Sequence, residues 1–281
     1  MSDNYASVPL RELNNGAFMP SIGLGTWPLD DIQAGAAVAH ALEAGYRLID
    51  TAENYGNEEG IGEGLGSTSV PREELFITSK FNVQWHSVQG VMDAWENSCK
   101  RLGLEYLDLF LIHWPNPKEG NYVQAWEGLV KLLKRGRVRA IGTSNFTVPQ
   151  LQELIDATGV VPDVNQIQHS PIWLDDDRLA FHAEHGIVTE AWAPLGRGEK
   201  ELLDAAPVLA AAAAHKVTPA QAVLRWQIER GVVPIPKTTS PERMAENLDV
   251  FAFNLSAEEV LAIDKLDGTA AERLDPMRFG H

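Results

Sequence analysis

The sequence predicts an α/β protein, a single (β/α)8 TIM barrel with an N-terminal β-hairpin. Eight short apolar runs alternate with longer helical patterns, and no linker rich in proline or serine divides the chain. Runs that are apolar throughout indicate buried parallel strands, and their alternation with helices is typical of α/β folds. The length of 281 residues suits a barrel, which takes about 250 residues as one domain. We therefore expect one domain over residues 1–281.

The predicted strands are each bounded by polar or turn residues. Ahead of them, Val8–Leu13 and Ala17–Met19 around Asn14-Asn15-Gly16 predict a hairpin with a primed turn. The predicted barrel strands are Ile22–Thr26, Arg47–Asp50, Leu75–Ser79, Leu107–His113, Arg139–Thr143, Val164–Gln168, Ile187–Trp192 and Val232–Pro236.

Helix start and stop signals lie between these strands. Thr218-Pro219 is a favourable cap and first-turn pair, and Ser256 with Glu259 predicts a capping box. The predicted helices include Ile32–Ala44, Val91–Leu102, an apolar stripe from Trp126 to Leu133, Ala205–His215, Thr218–Arg230, and helices that begin at Ser240-Pro241 and at Ser256.

A glycine-rich segment, residues 60–66, raises an open doubly wound sheet as the alternative fold. Such a sheet carries a G-x-G-x-x-G fingerprint after its first strand. Here the third glycine lies one position late, and the segment follows a polar loop rather than a strand. We interpret the segment as a helix start and a helix end, and set the fingerprint aside.

Charge and cysteine content exclude several classes of protein. The 39 acidic and 23 basic residues give a net charge of −16, which disfavours binding to nucleic acid or anionic membranes. The single cysteine, Cys99, excludes an intrachain disulfide framework and a thiolate-rich metal site. No apolar run approaches the roughly 20 residues of a membrane span, and no secretory signal is visible. We expect a soluble cytoplasmic protein without a metal, and a monomer.

Polar and ionisable side chains follow strand after strand of the predicted barrel. Active sites of such barrels lie at the carboxyl ends of the strands and in the loops that follow. We therefore expect these side chains to meet at one end of the barrel. In chain order they are Asp50, Tyr55, Lys80, His113, Ser144, Asn145, Gln166, Trp192 and Lys237.

Each of these residues also has a purely structural interpretation. Asp50 could cap the next helix, Lys80 could be a solvated strand end, and His113 could be an ordinary core histidine. Together, however, they place an acid, a phenol, an amine and an imidazole where adjacent strands open. Stability alone does not require that arrangement.

The set suits proton donation to a carbonyl group. A phenol with a pKa of about 10 holds its proton at neutral pH and delivers it when the phenolate is stabilised. Lys80 would supply that stabilisation to Tyr55, and Asp50 would hold Lys80 in place. His113 would donate a hydrogen bond to the carbonyl oxygen. Hydride from a nicotinamide is the natural partner of this proton transfer.

The second half of the chain offers the groups that a nicotinamide nucleotide needs. Trp192 presents a flat face for an aromatic ring, although a core tryptophan is an equal alternative. Ser144, Asn145 and Gln166 can bond a carboxamide. Two cations and a helix start form an anion site suited to phosphate, although Arg243 and Glu246 could be only a surface pair. The residues of this anion site are Lys237, Thr238, Arg243, Glu246 and Asn247.

Several motifs resemble the aldo-keto reductase superfamily over nearly the whole chain. Segments 211–226 and 246–251 are particularly similar to actinobacterial 2,5-diketo-gluconate reductases. The motifs are Gly45–Ala52 with Tyr55–Glu58, Ile77–Lys80, Leu111–Pro115, Ile141–Phe146, Val164–Ile167, and Ile235–Lys237 through Arg243 to Asn247.

The resemblance implies an NADPH-dependent oxidoreductase that reduces small aldehydes or ketones, keto-sugar acids or dicarbonyls among them. It implies Tyr55 as general acid, Lys80 and Asp50 as its tuning pair, and His113 as the orienting residue. Trp192 would stack on the nicotinamide, and Trp27 and Trp114 would line the substrate pocket. The carboxamide would be held by Ser144, Asn145 and Gln166, the 2′-phosphate by Lys237, Thr238 and Arg243, and the adenine by Glu246 and Asn247.

Two departures from the family pattern concern the substrate side. Phe81-Asn82 stands where Leu-Trp is usual after the lysine, and Gln168-His169-Ser170-Pro171 stands where Glu-x-His-Pro is usual. They change pocket walls and leave the catalytic set intact.

Two other functions fit the same barrel. A lyase would use Lys80 as a Schiff-base amine, and borohydride trapping on Lys80 would favour it. A regulatory barrel would bind the cofactor without turnover, which a broad carbonyl panel would reveal. The presence of Tyr55 and of a nucleotide-like site argues against the first, and the complete catalytic set argues against the second.

Overall fold

The computed structural model describes residues 8–119, 121–198, 200–269, 274–275 and 277. They form an eight-stranded parallel sheet, closed almost completely into a barrel, with helices outside and an antiparallel hairpin before it, which confirms the predicted fold. The strands are β1 (Leu10–Glu12), β2 (Phe18–Pro20), β3 (Gly23–Gly25), β4 (Leu48–Asp50), β5 (Phe76–Phe81), β6 (Leu107–Ile112), β7 (Val138–Ser144), β8 (Val164–Gln168), β9 (Val188–Trp192) and β10 (Val233–Pro234). The α-helices are α1 (Asp31–Ala44), α2 (Glu58–Gly66), α3 (Val88–Leu102), α4 (Tyr122–Lys134), α5 (Val148–Thr158), α6 (Asp176–His185), α7 (Lys200–Leu203), α8 (Ala206–His215), α9 (Pro219–Glu229), α10 (Pro241–Leu248) and α11 (Ala257–Asp264).

The barrel strands bury both of their faces. Alternate residues point into the barrel or outward to the helices, as strand geometry requires. The interior cluster includes Leu48, Phe76, Leu109, Leu111, Val164 and Val233. The outer layer includes Ile49, Ile77, Phe110, Ile112 and Ile141. Lys80 and Asp50 fall on the interior face, where they meet the end of the apolar core.

The seam between the first and last barrel strands is thin. β10 contains only two residues and pairs with β9 through Val233 and Pro234. Toward β3, the amide of Gly25 donates a 3.1 Å hydrogen bond to the carbonyl oxygen of Pro236. A Cβ at Gly25 would lie 2.8 Å from the Ile235 carbonyl oxygen, so the seam requires glycine there. The predicted eighth strand is longer than the observed one because its prolines cannot donate to a ladder.

The predicted primed turn of the N-terminal hairpin is wrong. A two-residue type I′ turn needs two residues with positive φ, and Gly16, at φ +83°, is the only one in this turn. The amide of Gly16 donates to the carbonyl of Leu13 over 2.9 Å, giving a three-residue loop. Asn15 was expected to form part of the primed turn, but its side chain instead binds Asp163, with Nδ2 donating to Oδ2 over 3.0 Å. The turn is therefore shaped by its contact with the amino-terminal end of the barrel.

The glycine-rich segment runs from the first turn to the last residue of one helix, in agreement with its interpretation as a helix start and a helix end. Its glycines lie inside one helix, α2, which packs against α1. A Cβ at Gly60 would lie 2.0 Å from the Asp31 carbonyl oxygen, and one at Gly64 would lie 2.5 Å from that of Gly35. The glycines therefore allow two helix backbones to approach closely, which the local sequence pattern does not reveal.

Replacing Gly60 with alanine is expected to destabilise the protein by about 1–3 kcal/mol, because the added methyl group forces α1 and α2 apart. Gly66→Ala in the same helix is the matched control, since a Cβ there meets nothing within 4 Å. We expect Gly66→Ala to be neutral or stabilising by up to about 1 kcal/mol. Chemical denaturation of both variants measures the difference, and equal stabilities would contradict the close helix contact.

Among the helices that the structure describes, none combines the length and the apolar character that a bilayer crossing requires.

Candidate active site

Four predicted side chains meet at the carboxyl end of the barrel. Nζ of Lys80 donates to Oδ2 of Asp50 over 2.7 Å, to the carbonyl of Thr51 over 2.9 Å, and to Oη of Tyr55 over 3.3 Å. The rings of Tyr55 and His113 meet edge to face with centroids 5.8 Å apart. Acid, amine, phenol and imidazole thus form one contiguous group.

The loop that carries Tyr55 is held by a fully buried amide. Nδ2 of Asn57 donates to the carbonyls of Thr26 and Leu29 over 3.2 and 2.9 Å, and its Oδ1 accepts from Thr51 over 2.9 Å. These bonds tie the segment after β4 to the segment after β3. Asn57 received no role in the sequence analysis, since an asparagine in a polar loop usually faces solvent.

The Lys80–Asp50 contact is a buried ion pair. Burial alone would lower the pKa of Lys80, but the charges of Asp50 and Tyr55 outweigh it and raise that pKa above its usual value. Burial raises the pKa of Asp50, and the ammonium group opposes this rise. We take the pair as ionised because three oxygen acceptors surround the ammonium group at hydrogen-bond distance.

The phenol of Tyr55 is protonated in this environment. Burial raises the pKa of Tyr55, Lys80 lowers it, and Asp50 raises it again. Lys80 therefore acts in the direction expected from the sequence, but it does not overcome burial. Tyr55 keeps its proton until a reaction creates a place for it.

His113 is held from both sides of its strand. Its backbone amide donates to the carbonyl of Phe81 over 3.0 Å, and its carbonyl accepts from Nδ2 of Asn145 over 3.1 Å. The side chain is 6% exposed and faces the Tyr55 ring. The position of His113 at the mouth of the barrel therefore follows from the ends of three adjacent strands.

The side chains predicted to bond a carboxamide form a second connected group. Oγ of Ser144 donates to the carbonyl of Gln166 over 3.0 Å, and Nε1 of Trp192 donates to Oδ1 of Asn145 over 2.9 Å. Asn145 adopts a left-handed backbone, φ +66°, which asparagine tolerates better than most residues. Trp192 remains half-buried, so part of it stays accessible at the strand end.

Gln166 connects the two groups and leads to a residue that the sequence analysis missed. Its Nε2 donates to Oδ1 of Asp50 over 2.8 Å and to Oε2 of Glu190 over 2.5 Å. Glu190 is fully buried in β9. A glutamate inside an otherwise apolar predicted strand was the available signal, since an acid is rarely buried without a partner.

The predicted anion site lies beyond the seam, at the start of α10. Lys237 and Arg243 are exposed, and neither forms an ion pair within the described part of the chain. Oγ1 of Thr238 accepts from the amide of Ser240 over 3.1 Å, and Ser240 caps the helix. The site lies at the same end of the barrel as Tyr55, because parallel strands share one carboxyl end. Two cations without acidic partners suit a phosphate group.

The remaining predicted nucleotide contacts lie on α10. Glu246 is exposed, and Asn247 is 5% exposed.

The two predicted pocket tryptophans have different environments. Trp114 is buried, with its ring centroid 6.2 Å from that of His113 and 6.5 Å from that of Trp192. Trp27 follows β3 and is 55% exposed. Nε1 of Trp85 donates to Oε1 of Glu53 over 2.8 Å, which joins the loop after β5 to the loop of Tyr55.

Candidate metal ligands and the single thiol both occur in the part of the chain that is described. No group of three histidine, cysteine, aspartate or glutamate side chains there has the arrangement of a metal site. Cys99 is buried in α3, and burial raises the pKa of its thiol to about 12, which keeps it protonated and unreactive.

The chain resembles known proteins over almost its full length. A model of the Aldo/keto reductase family matches residues 21–268. The chain is 46% identical over 273 residues to methylglyoxal reductase DkgA of Yersinia pestis, covering 97% of this chain and 98% of that protein. It is 44% identical over 261 residues to 2,5-diketo-D-gluconic acid reductase B of a Corynebacterium species, covering 93% and 94%. A solved structure of a Gox0644 mutant in complex with NADPH matches with a TM-score of 0.91 at 40% identity, covering 97% of this chain and 99% of that one.

Proposed function

This chain belongs to the aldo/keto reductase family, and from that membership we propose that it uses NADPH to reduce small carbonyl compounds, with Tyr55 as the proton donor. The observation that carries the proposal is the placement of Oη of Tyr55 3.3 Å from an ammonium group that is itself paired with Asp50. Such a phenol can give up a proton when a carbonyl oxygen becomes basic, because the nearby positive charge stabilises the phenolate that forms.

The residues present fit the cofactor. The Gox0644 relative was solved with NADPH, and this chain offers matching chemistry in two places. Asn145 and Gln166 provide amide groups beside the half-buried Trp192, and the exposed Lys237 and Arg243 provide charge for a phosphate. When bound, NADPH supplies a hydride equivalent to the carbonyl carbon.

The protein's own residues manage the oxygen and its proton. His113 donates a hydrogen bond that orients the carbonyl oxygen beside Tyr55. As the carbon accepts hydride, the O–H bond of Tyr55 breaks and its proton moves to the carbonyl oxygen, giving the alcohol. The charge left on the phenolate is met by Lys80, and Asp50 keeps Lys80 charged and in place. Water then returns a proton to Tyr55.

We propose α-dicarbonyls and keto-sugar acids as the substrate class, because relatives at 46% and 44% identity are named for methylglyoxal and 2,5-diketo-gluconate. NADPH consumption over a panel of aldehydes, α-dicarbonyls and keto acids, repeated with NADH, tests the proposal. Turnover of α-dicarbonyls or keto acids with NADPH is expected. No turnover of any carbonyl would contradict it.

The alternative of a Schiff-base lyase is not supported. A lysine nucleophile needs a lowered pKa, whereas Asp50 and Tyr55 raise the pKa of Lys80 against the effect of its burial. The alternative of a regulatory barrel without turnover is not supported either, since the relatives reported above are named as reductases.

Arg243→Ala is expected to weaken NADPH binding by about tenfold or more, because a charged hydrogen bond contributes about 1.5–3 kcal/mol. NADH lacks the 2′-phosphate, so its binding is expected to change little. Fluorescence titration with both nucleotides measures the two affinities. Lys134→Ala removes an exposed cation at the end of α4 and serves as the control. Equal weakening of NADPH binding and NADH binding would show that Arg243 does not bind the 2′-phosphate.

Three broader proposals accompany this function. We propose that residues 1–281 act as one domain, as a monomer, in the cytoplasm. The single buried thiol supports a reducing compartment. Light scattering on the purified protein measures the oligomeric state.

A further inference from the structure

A buried carboxyl group stands beside the reducing site without a role in the mechanism above. Glu190, in the middle of β9, is fully buried. Its Oε2 accepts the 2.5 Å hydrogen bond from Gln166, and its Oε1 has no hydrogen-bond partner among the described residues. The same nitrogen of Gln166 donates to Asp50. One amide group thus joins two buried carboxyl groups.

The cluster contains two carboxyl groups and one cation. Lys80 lies 2.7 Å from Asp50 and pairs with it, which leaves Glu190 without a counter-charge. The neighbouring strands add none, because the residues opposite Glu190 are Gln166 on β8 and Val233 on β10. Among the described residues, the titratable groups that interact electrostatically with Glu190 are Asp50 on β4, Lys80 on β5 and Tyr55 in the loop after β4.

The excess of carboxyl groups over cations in this cluster decides the protonation state of Glu190. Burial and the charge of Asp50 raise its pKa to about 8, against the hydrogen bond from Gln166 and the charge of Lys80. A carboxyl group with a raised pKa is neutral below that pH and ionised above it. Glu190 is therefore a neutral acid around pH 7, and its charge appears as the solution becomes alkaline.

The charge of Glu190 reaches the proton donor. Once ionised, Glu190 raises the pKa of Tyr55, in addition to the effects of burial and of Asp50. The physical cause is that a phenolate beside another anion is unfavourable in a medium of low dielectric constant. When Glu190 is neutral, this unfavourable interaction is absent, and Tyr55 is a stronger acid than when Glu190 is ionised.

We propose that Glu190 is a positioning residue that sets how readily Tyr55 releases its proton, more readily when Glu190 is neutral and less readily when it is ionised. Glu190 acts through the buried charge cluster and through Gln166, without touching the carbonyl substrate. This inference rests on the proposed function, in which Tyr55 is the proton donor.

Glu190→Gln tests the proposal, because it retains the shape and an acceptor oxygen for Gln166 but cannot ionise. The pH profile of kcat/KM is measured for methylglyoxal reduction with NADPH and for oxidation of the corresponding hydroxyketone with NADP⁺. We expect wild-type kcat/KM to be retained near pH 6, where Glu190 is neutral. The limb assigned to Tyr55 falls with pH for reduction, which needs the phenol, and rises with pH for oxidation, which needs the phenolate. In both reactions it is expected to move to lower pH by about one unit.

A measurement without turnover accompanies the kinetics. Carbon-13 NMR of labelled tyrosine in the free protein follows ionisation of Tyr55, whose resonance is the one lost in Tyr55→Phe. In Glu190→Gln this resonance is expected to titrate at lower pH than in wild type. Glu190→Met, which removes the charge with an apolar side chain, must shift the titration in the same direction.

Asp163→Asn is the matched control, because Asp163 is also a buried acid with a pKa raised by burial, to about 6, but lies at the opposite end of the barrel. It is expected to leave the Tyr55 titration unchanged. Unshifted limbs and an unshifted resonance in both Glu190 variants would overturn the proposal, as would a loss of kcat/KM that is uniform across pH. Retained reduction by Tyr55→Phe would instead refute the proposed function.

Discussion

Tyr55→Phe is expected to lower kcat/KM for carbonyl reduction by about 10²–10⁴-fold, the range for loss of a positioned general acid. The phenylalanine ring preserves the edge contact with His113, whose centroid lies 5.8 Å away, but removes the oxygen 3.3 Å from Lys80. Binding of NADPH is expected to persist, since the lost hydroxyl group belongs to the proton transfer. Steady-state kinetics and fluorescence titration with NADPH measure the two effects separately.

Tyr122→Phe is the matched control for this substitution. Tyr122 begins α4, and its hydroxyl group donates to Glu153 on α5 and not to the group of Asp50, Lys80 and Tyr55. The same loss of one phenolic oxygen there is expected to leave kcat/KM unchanged. If Tyr55→Phe retained most of the reductase activity, Tyr55 would not be the proton donor.

Lys80→Met is expected to lower the free energy of unfolding by about 3–5 kcal/mol and to abolish reduction. Both partners of the ion pair are almost fully buried, so removing Lys80 leaves the charge of Asp50 uncompensated inside the barrel. Chemical denaturation measures the loss of stability.

The double variant Asp50→Asn with Lys80→Met separates the structural from the catalytic role. It is expected to recover most of the lost stability, because no unpaired charge remains. It should stay inactive, since nothing stabilises the Tyr55 phenolate. Wild-type stability of the single variant, or activity of the double variant, would contradict the assigned role of Lys80.

The architecture was predictable because strand periodicity and helix caps are local signals. Asp50 and Lys80 could be placed at strand ends from the apolar runs that precede them, even though β5 continues past Lys80 to Phe81. The parallel order then implied that they meet. The local turn at Gly16 could not be predicted, because the backbone amide of the preceding Asn15 donates to Asp163, 148 residues further along the chain.

Contacts between distant segments account for the other differences. The glycines of α2 make sense only when α1 is known to lie against them. Glu190 gave a visible signal, a charge in an apolar strand, but its meaning depends on Gln166 and Asp50 from two other strands. The roles assigned to the nucleotide-binding residues remain predictions, which Arg243→Ala addresses.

We expect the nucleotide to stabilise the thin seam of the barrel, in addition to its chemical role. The chain leaves β10 through Pro236, whose carbonyl accepts the bond from Gly25, and the next residue is Lys237. A phosphate held by Lys237 would therefore fasten the first and last strands at the place where the fewest backbone bonds join them. Because few backbone bonds join these two strands, we expect bound NADPH to stabilise the barrel at this joint.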